Sequence, residues 1–283
     1  MLTVFYNHIT EAMRQEGMSL EEVAAVIKEH EITGVEMDYR DLNPTGKHFD
    51  TELPAKLRQL GIPVCGVYVF YDWGNHPFDS SYKRIYRELK SIGVRNSLAI
   101  PGMIPDGADR NKDRNKDRNK YTARMIRALR RAVKCAGKNG IKVLLEDFDD
   151  ASAPYSTAQG MQEFFRAIPD LKCAFDTGNF YYSGEDAIEA LSFFAEKIEY
   201  VHLKDRSLEP ADDEEAKTSI NGVAMYSSYV GGGVIPIREL IHALTEAGYT
   251  GDYAIEHFGS LHQLRDMIAS ADFIRSCLTE EYL

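Results

Sequence analysis

Eight times along this chain a short apolar run gives way to a helical pattern, and no other feature constrains the fold as tightly. The runs are LTVFY, TGVEMD, PVCGVYVF, RNSLAI, IKVLLE, LKCAFD, IEYVHL and DYAIEHF. A strand followed by a helix and another strand pairs in parallel, because the helix returns the chain to the starting edge. Eight such units in a row predict a closed barrel rather than an open sheet, a single (β/α)8 TIM barrel spanning residues 1–283. The length suits one barrel of about 250 residues better than two small domains.

Helix ends are also legible. Ser19 and Glu22 form a capping-box pattern, and Val23, Val26, Ile27 and His30 then recur on one helical face. Ser156 with Gln159, and Ser260 with Gln263, repeat the capping signal. Leu261, Leu264 and Ile268 mark the expected buried stripe of the last helix. Gly140, just before IKVLLE, reads as a helix-ending residue in a left-handed conformation.

Two segments break the rhythm. DRNKDRNKDRNK, residues 109–120, alternates in charge and has no apolar residue, so it reads as a solvated loop leading into the fourth helix. Residues 207–233 form a long insertion between strand seven and helix seven. Its length on the face where barrels carry their chemistry makes it a lid candidate, against the plainer reading of a surface insertion. The GGG at 231–233 before a helix reads first as a tight turn and second as a phosphate cradle.

The net charge of -11 excludes a nucleic-acid backbone as the main partner, since phosphate contacts need clustered Lys and Arg. No run is apolar for long enough to span a membrane, and no basic-then-apolar leader is present. Cys65, Cys135, Cys173 and Cys277 are scattered, with no Cys-x-x-Cys pair, as expected of thiols in a reducing compartment. The expectation is a cytoplasmic protein with a small-molecule partner, either alone or as a homo-oligomer.

Four strand ends carry polar groups: Glu146 after KVLL, Asp176 in CAFD, His202 in YVH and Glu256 in YAIE. On a parallel barrel these would converge at the C-terminal mouth. Three buried carboxylates would repel unless a positive charge stood among them. A divalent cation resolves that, taking oxygen ligands and one imidazole. Around this set, Glu36 should face inward as a substrate-hydroxyl acceptor or a partner for Lys204. Lys204 is positioned to bind a substrate oxygen or phosphate, or to neutralise the acidic cluster. His8, Tyr68, Phe70 and Trp73 are candidates for the pocket wall or for ordinary core packing.

In this order, VLLED, CAFDTGN, YVHLKD and AIEHF resemble the xylose-isomerase-like barrels, the sugar-phosphate isomerase/epimerase superfamily, over nearly the whole chain. The resemblance implies one divalent ion held by Glu146, Asp176, His202 and Glu256, with Mn²⁺ or Mg²⁺ first and Co²⁺ or Zn²⁺ as alternatives. It also implies acid/base roles for Glu146 and Glu256 on either side of a sugar. Asn179 stands where many relatives carry a substrate-contacting His, and Pro236 stands near a usual acidic position. The implied activity is isomerisation or epimerisation of a keto sugar or sugar phosphate through an enediolate. An inosose-type dehydratase and a non-catalytic sugar-binding barrel are the alternatives. The nuclease branch would need further His ligands after strands three and four, where FYDW and AIPG have none.

Overall fold

The computed structural model describes residues 1–105 and 114–279. In chain order the elements are β1 (Leu2–Phe5), α1 (Tyr6–Glu16), α2 (Leu20–Glu29), β2 (Ile32–Asp38), α3 (Tyr39–Leu42), α4 (Glu52–Gln59), β3 (Val64–Phe70), α5 (Tyr82–Ser91) and β4 (Asn96–Ile100). There follow α6 (Arg114–Gly137), β5 (Lys142–Leu145), α7 (Ala158–Ala167), β6 (Lys172–Asp176), α8 (Asn179–Tyr182), α9 (Ala187–Phe194) and β7 (Ile198–Ser207). The chain ends with β8 (Lys217–Thr218), β9 (Ala224–Ser228), α10 (Ile237–Glu246), β10 (Asp252–Glu256) and α11 (Gln263–Thr279).

Strands β1 to β7 pair in parallel in sequence order, and β10 closes the ring by pairing with both β7 and β1. This is a single (β/α)8 TIM barrel, and each of the eight apolar runs supplies one barrel strand. Closure removes both sheet edges, so the backbone groups of every barrel strand find partners on each side. The strands are buried almost throughout because one face meets the barrel interior and the other meets the helices. Among the described residues no helix is long and apolar enough to cross a membrane.

The capping box at α2 forms in both directions: Glu22 N–H donates to Ser19 Oγ, and Ser19 N–H donates to Glu22 Oε2 at 2.8 Å. Gly140 adopts φ 74°, the left-handed conformation that a side chain disfavours. Two other helix readings need correction. The cap of α7 is Thr157, whose hydroxyl accepts from Gly160 N–H at 3.1 Å. Ser156 is buried instead, its carbonyl taken by the Ser183 hydroxyl. In α11 the buried row is Met267, Ala271, Ile274 and Cys277, whereas Leu261 precedes the helix and is exposed. The helix starts at Gln263, because Ser260 turns the chain first by accepting from His262 N–H.

The charged repeat divides. Residues 106–113 lie outside the described residues, and from Arg114 the repeat is already helix, the opening turns of α6. The Lys, Arg and Asn of the repeat are compatible with a helix whose surface is solvated. The 207–233 insertion is not structureless. It extends β7 and folds back as an antiparallel ladder, β7 with β9 and β9 with β8. That ladder brings Lys217 to the wall of the barrel-mouth cavity.

Candidate metal centre

The barrel register sets the heights of the polar strand ends. Asp176 lies directly opposite His202 on β7, and Glu256 lies opposite Lys204. Glu146 follows the last residue of β5. One ligand atom from each of Glu146, Asp176, His202 and Glu256 falls within 4.8 Å of all the others, and all four residues are buried. Inward-facing positions two apart on a strand share a face, so Lys204 enters the same space as His202.

His202 is held by carboxylates on both ring nitrogens. Nδ1 lies 2.5 Å from Glu146 Oε1 and 3.6 Å from Glu256 Oε2. Nε2 lies 3.0 Å from Glu36 Oε2. Phe5 and Tyr200 pack edge-on against the imidazole at 5.1 and 5.4 Å, which leaves the ring little freedom. Glu36 therefore orients His202 rather than pairing with Lys204. The Lys204 ammonium contacts Glu256 Oε1, Asp176 Oδ2 at 3.1 Å and Asn179 Oδ1 at 2.8 Å. Asn179 in turn donates to the Asp147 carbonyl at 2.7 Å, which fixes its amide. Asp176 Oδ1 accepts from the N–H groups of Gly178 and Asn179 at 2.7 and 2.8 Å, leaving Oδ2 toward Lys204.

Charge counting tests whether these residues fit a cation. Glu36, Glu146, Asp176 and Glu256 face one ammonium, and His202 as a metal ligand is neutral. Three negative charges remain, which a divalent ion would reduce to one. In the protein alone, protons must supply that charge. Burial pushes Glu256 up to about 8, with Asp176 and Glu146 adding to it and Lys204 opposing. Burial likewise raises Glu146, against the pull of His202. Burial opposes charging of His202, yet Glu36 and Glu146 together hold its imidazolium well above the usual range. Three carboxylates and one imidazole at this spacing are a donor set that could hold a metal ion.

The cluster opens into a cavity of ≈ 340 Å³. Phe5, Tyr68, Phe70, Phe148 and Phe258 give it flat apolar walls, while Asn179, Lys204 and Glu256 give it polar ones. Two expected wall residues stand elsewhere. His8 is buried behind the wall, stacked on His257 at 4.4 Å and accepting from the His257 N–H. It lies on α1, because β1 ends at Phe5 and the helix begins at once. Trp73, in the loop after β3, is fully buried and stacked on Tyr71 at 3.9 Å. Both are packing residues by position, since neither reaches the cavity.

Several cavity residues escaped the sequence reading. Arg206 continues the even spacing of His202 and Lys204 along β7, a signal that was available. Asp149, Lys217 and the Asp38–Arg40 pair come from loops, an insertion strand and a strand end with no such periodicity. The GGG segment also has a different duty. Gly231 and Gly233 N–H groups donate to Asp205 Oδ2 at 3.0 and 2.9 Å, and Ile235 N–H donates to Oδ1 at 3.0 Å. The loop is thus tied to the chain's own carboxylate, and those donors do not cradle a phosphate.

Comparison with known proteins agrees with this geometry. The family pattern described as xylose isomerase-like TIM barrel matches residues 24–277. The chain is 36% identical over 85 residues to an inosose dehydratase of Geobacillus thermodenitrificans (strain NG80-2), a stretch covering 29% of this chain and 28% of that protein. Among solved structures, D-psicose 3-epimerase with D-tagatose from Clostridium cellulolyticum H10 superposes with a TM-score of 0.71 at 16% identity, covering 98% of this chain and 99% of that one. The IOLI protein with a binding zinc atom gives 0.72 at 16% identity over 100% of this chain and 99% of its own. The solved structures share the fold, and the family pattern spans most of the chain, from α2 to α11. The protein belongs to the xylose isomerase-like TIM barrel family.

Proposed function

We propose that the protein is a divalent-metal-dependent isomerase or epimerase of a keto sugar or sugar phosphate, working by proton abstraction next to a carbonyl. The observation that supports it most directly is the set of four buried donor atoms within 4.8 Å of one another at the mouth of the barrel. Glu146, Asp176, His202 and Glu256 would hold the ion. When bound, it supplies Lewis-acid stabilisation of the charge that develops on the substrate carbonyl oxygen.

The chain's own residues do the rest. Glu36 holds His202 through Nε2, so that Nδ1 faces the cluster. Glu256 ends β10 and Glu146 follows β5, strands on either side of β7 in the ring, and both carboxylates reach the Nδ1 side of His202. In this reading one carboxylate takes the proton from carbon and the other returns one to the opposite face. In this reading Lys204, steadied by Asn179, would turn from a carboxylate to a substrate oxygen once a cation occupies the cluster. The apolar walls would limit water around a bound substrate and so protect an enediolate from side reactions.

A dehydratase of a cyclic polyol ketone is a second reading, motivated by the partial sequence likeness to inosose dehydratases. It shares the first proton abstraction and then expels water. Incubation in D₂O with ketoses, ketose phosphates and inososes, followed by proton NMR, tests the common step. The expected result is loss of one C–H signal that requires added Mn²⁺ or Mg²⁺ and stops with chelator. A new stereoisomer then marks an epimerase, and a dehydrated product marks the second reading. No exchange with any member of the panel would sink both.

A further inference from the structure

Beyond the metal cluster, the cavity wall carries a second charged set. Arg206, on the same face of β7 as His202 and Lys204, has a side chain only 7% exposed. Lys217 comes from the insertion strand β8. Both meet one oxygen, Asp149 Oδ2, at 3.2 Å from the guanidinium and 2.7 Å from the ammonium. Lys204 Nζ stands 4.0 Å from that same oxygen. The Arg206 Nε–H has no hydrogen-bond acceptor among the described residues.

Two consequences follow. Two cations against one carboxylate leave a single surplus positive charge within this trio. A buried donor without an acceptor costs about 1–3 kcal/mol, so an acceptor brought to the Nε–H would be favoured. Asp149 stays ionised: burial opposes this, but Lys204, Lys217 and Arg206 together hold its carboxyl down at about 2. Protonation of Asp149 therefore cannot account for the surplus, which grows rather than shrinks when that group is neutral. A neutral hydroxyl would satisfy the Nε–H and leave the charge. A phosphate dianion would over-compensate beside Asp149. A carboxylate matches in both charge and shape, because the planar guanidinium fork suits two coplanar oxygens.

The two charged sets are a small molecule's length apart. Asp176 Oδ2 is 3.1 Å from Lys204 Nζ, which bridges to Asp149 Oδ2 and so to Lys217. We propose that the cavity takes a keto sugar acid, with its carbonyl end at Glu146, Asp176, His202 and Glu256 and its carboxylate against Arg206 and Lys217. This rests on the proton-abstraction reading above and narrows its substrate class. Arg206 and Lys217 act as specificity-determining residues and take no part in proton transfer.

Matched ligands test it. D-Fructose, D-fructuronate and D-fructose 6-phosphate differ only at carbon six, and the D-tagatose series provides the same trio with one inverted centre. Calorimetric titration of the full chain loaded with Mn²⁺ should show, in the better-binding series, the acid at least about ten-fold tighter than the neutral ketose, the gain of one charge-assisted contact. The acid should also bind more tightly than the phosphate ester. Arg206→Gln should bring the acid-to-ketose ratio close to one. Lys217→Gln should lower it several-fold, and its half-exposed position keeps that variant informative if the arginine change impairs folding. An acid-to-ketose ratio near one in the parent, a ratio untouched by Lys217→Gln, tighter binding of the phosphate ester, or no binding of either acid overturns the proposal. The same samples in D₂O separate the two ideas. Metal-dependent exchange without acid preference removes the carboxylate site and leaves the reaction. Acid preference without exchange does the reverse.

Discussion

His202 has two ring nitrogens, and three carboxylates compete for them. Glu36 takes Nε2 at 3.0 Å, and Glu146 and Glu256 lie on the Nδ1 side. An orienting partner of this kind typically changes metal affinity by about 10–100-fold. Glu36→Gln keeps the volume but weakens that hold, so Mn²⁺ affinity should fall by about ten-fold in competition with a chelating dye; unchanged affinity would show that Glu36 does not orient the imidazole. Glu256 poses a different question. Glu256→Gln can still offer an oxygen to a cation but cannot take a proton, so kcat should drop by at least ~10²-fold with the fold intact. Asp176→Asn should act through metal affinity and be partly rescued by excess metal; equal rescue of both variants would reduce Glu256 to a ligand. Asp149 tests the rim. Its carboxyl is depressed to about 2, so it contributes stability above the ordinary carboxylate range that is lost as pH falls through the folded value. The stability gap between the parent and Asp149→Asn should be about 2 kcal/mol near pH 6 and close between about pH 4 and pH 2 in urea titrations. A gap independent of pH would assign the difference to packing.

At the scale of elements, Asp205 organises the passage from β7 to α10. Its carboxylate accepts from the N–H groups of Arg206, Gly231, Gly233 and Ile235. That arrangement explains one glycine directly. A Cβ on Gly233 would stand 2.3 Å from both the Arg206 carbonyl oxygen and Asp205 Oδ1. Gly233→Ala should therefore cost about 1–3 kcal/mol, read as a lower midpoint in thermal unfolding. Because Val234 N–H donates to the Arg206 carbonyl at 2.8 Å, the same change should disturb Arg206 at the cavity wall. Unaltered stability would mean the loop can move aside. The helix boundaries teach a related lesson. Ser19 and Glu22 were legible as a cap because the whole motif is local. At α7 two adjacent hydroxyls, Ser156 and Thr157, competed for the same role, and burial of Ser156 beside Ser183 decided between them. In α11 the fully buried row is Met267, Ala271 and Ile274, with Leu264 of the expected stripe packed against the core beside it, because a helix docks by the face its neighbours accept.

For the whole molecule, a cation that binds only the folded barrel must stabilise it. At a free concentration about 1,000-fold above Kd the linkage is worth about 4 kcal/mol. Saturating Mn²⁺ should therefore raise the unfolding midpoint, chelation should reverse the rise, and His202→Ala should abolish it. A persistent rise in that variant would point to another site. The barrel itself was largely written in the chain. Continuous apolar runs and strand–helix alternation are local properties, so all eight strands could be read without coordinates, and so could the four polar residues on or beside them, although His202 lies mid-strand in β7 and Glu146 just past β5. Closure decided what local pattern cannot carry. It put β10 beside both β1 and β7, and so set Glu256 level with Lys204. It gave Glu36 to His202 rather than to Lys204, because that choice depends on distances across the barrel interior. It took Trp73 and His8 out of the cavity, since an aromatic near a strand end packs wherever space remains. And it joined Asp149, Arg206 and Lys217, which no spacing relates, because they follow β5, end β7 and begin a ladder folded back over the same mouth. Side-chain alternation along one strand is fixed by the backbone; contacts between strands far apart in sequence exist only once the ring has closed.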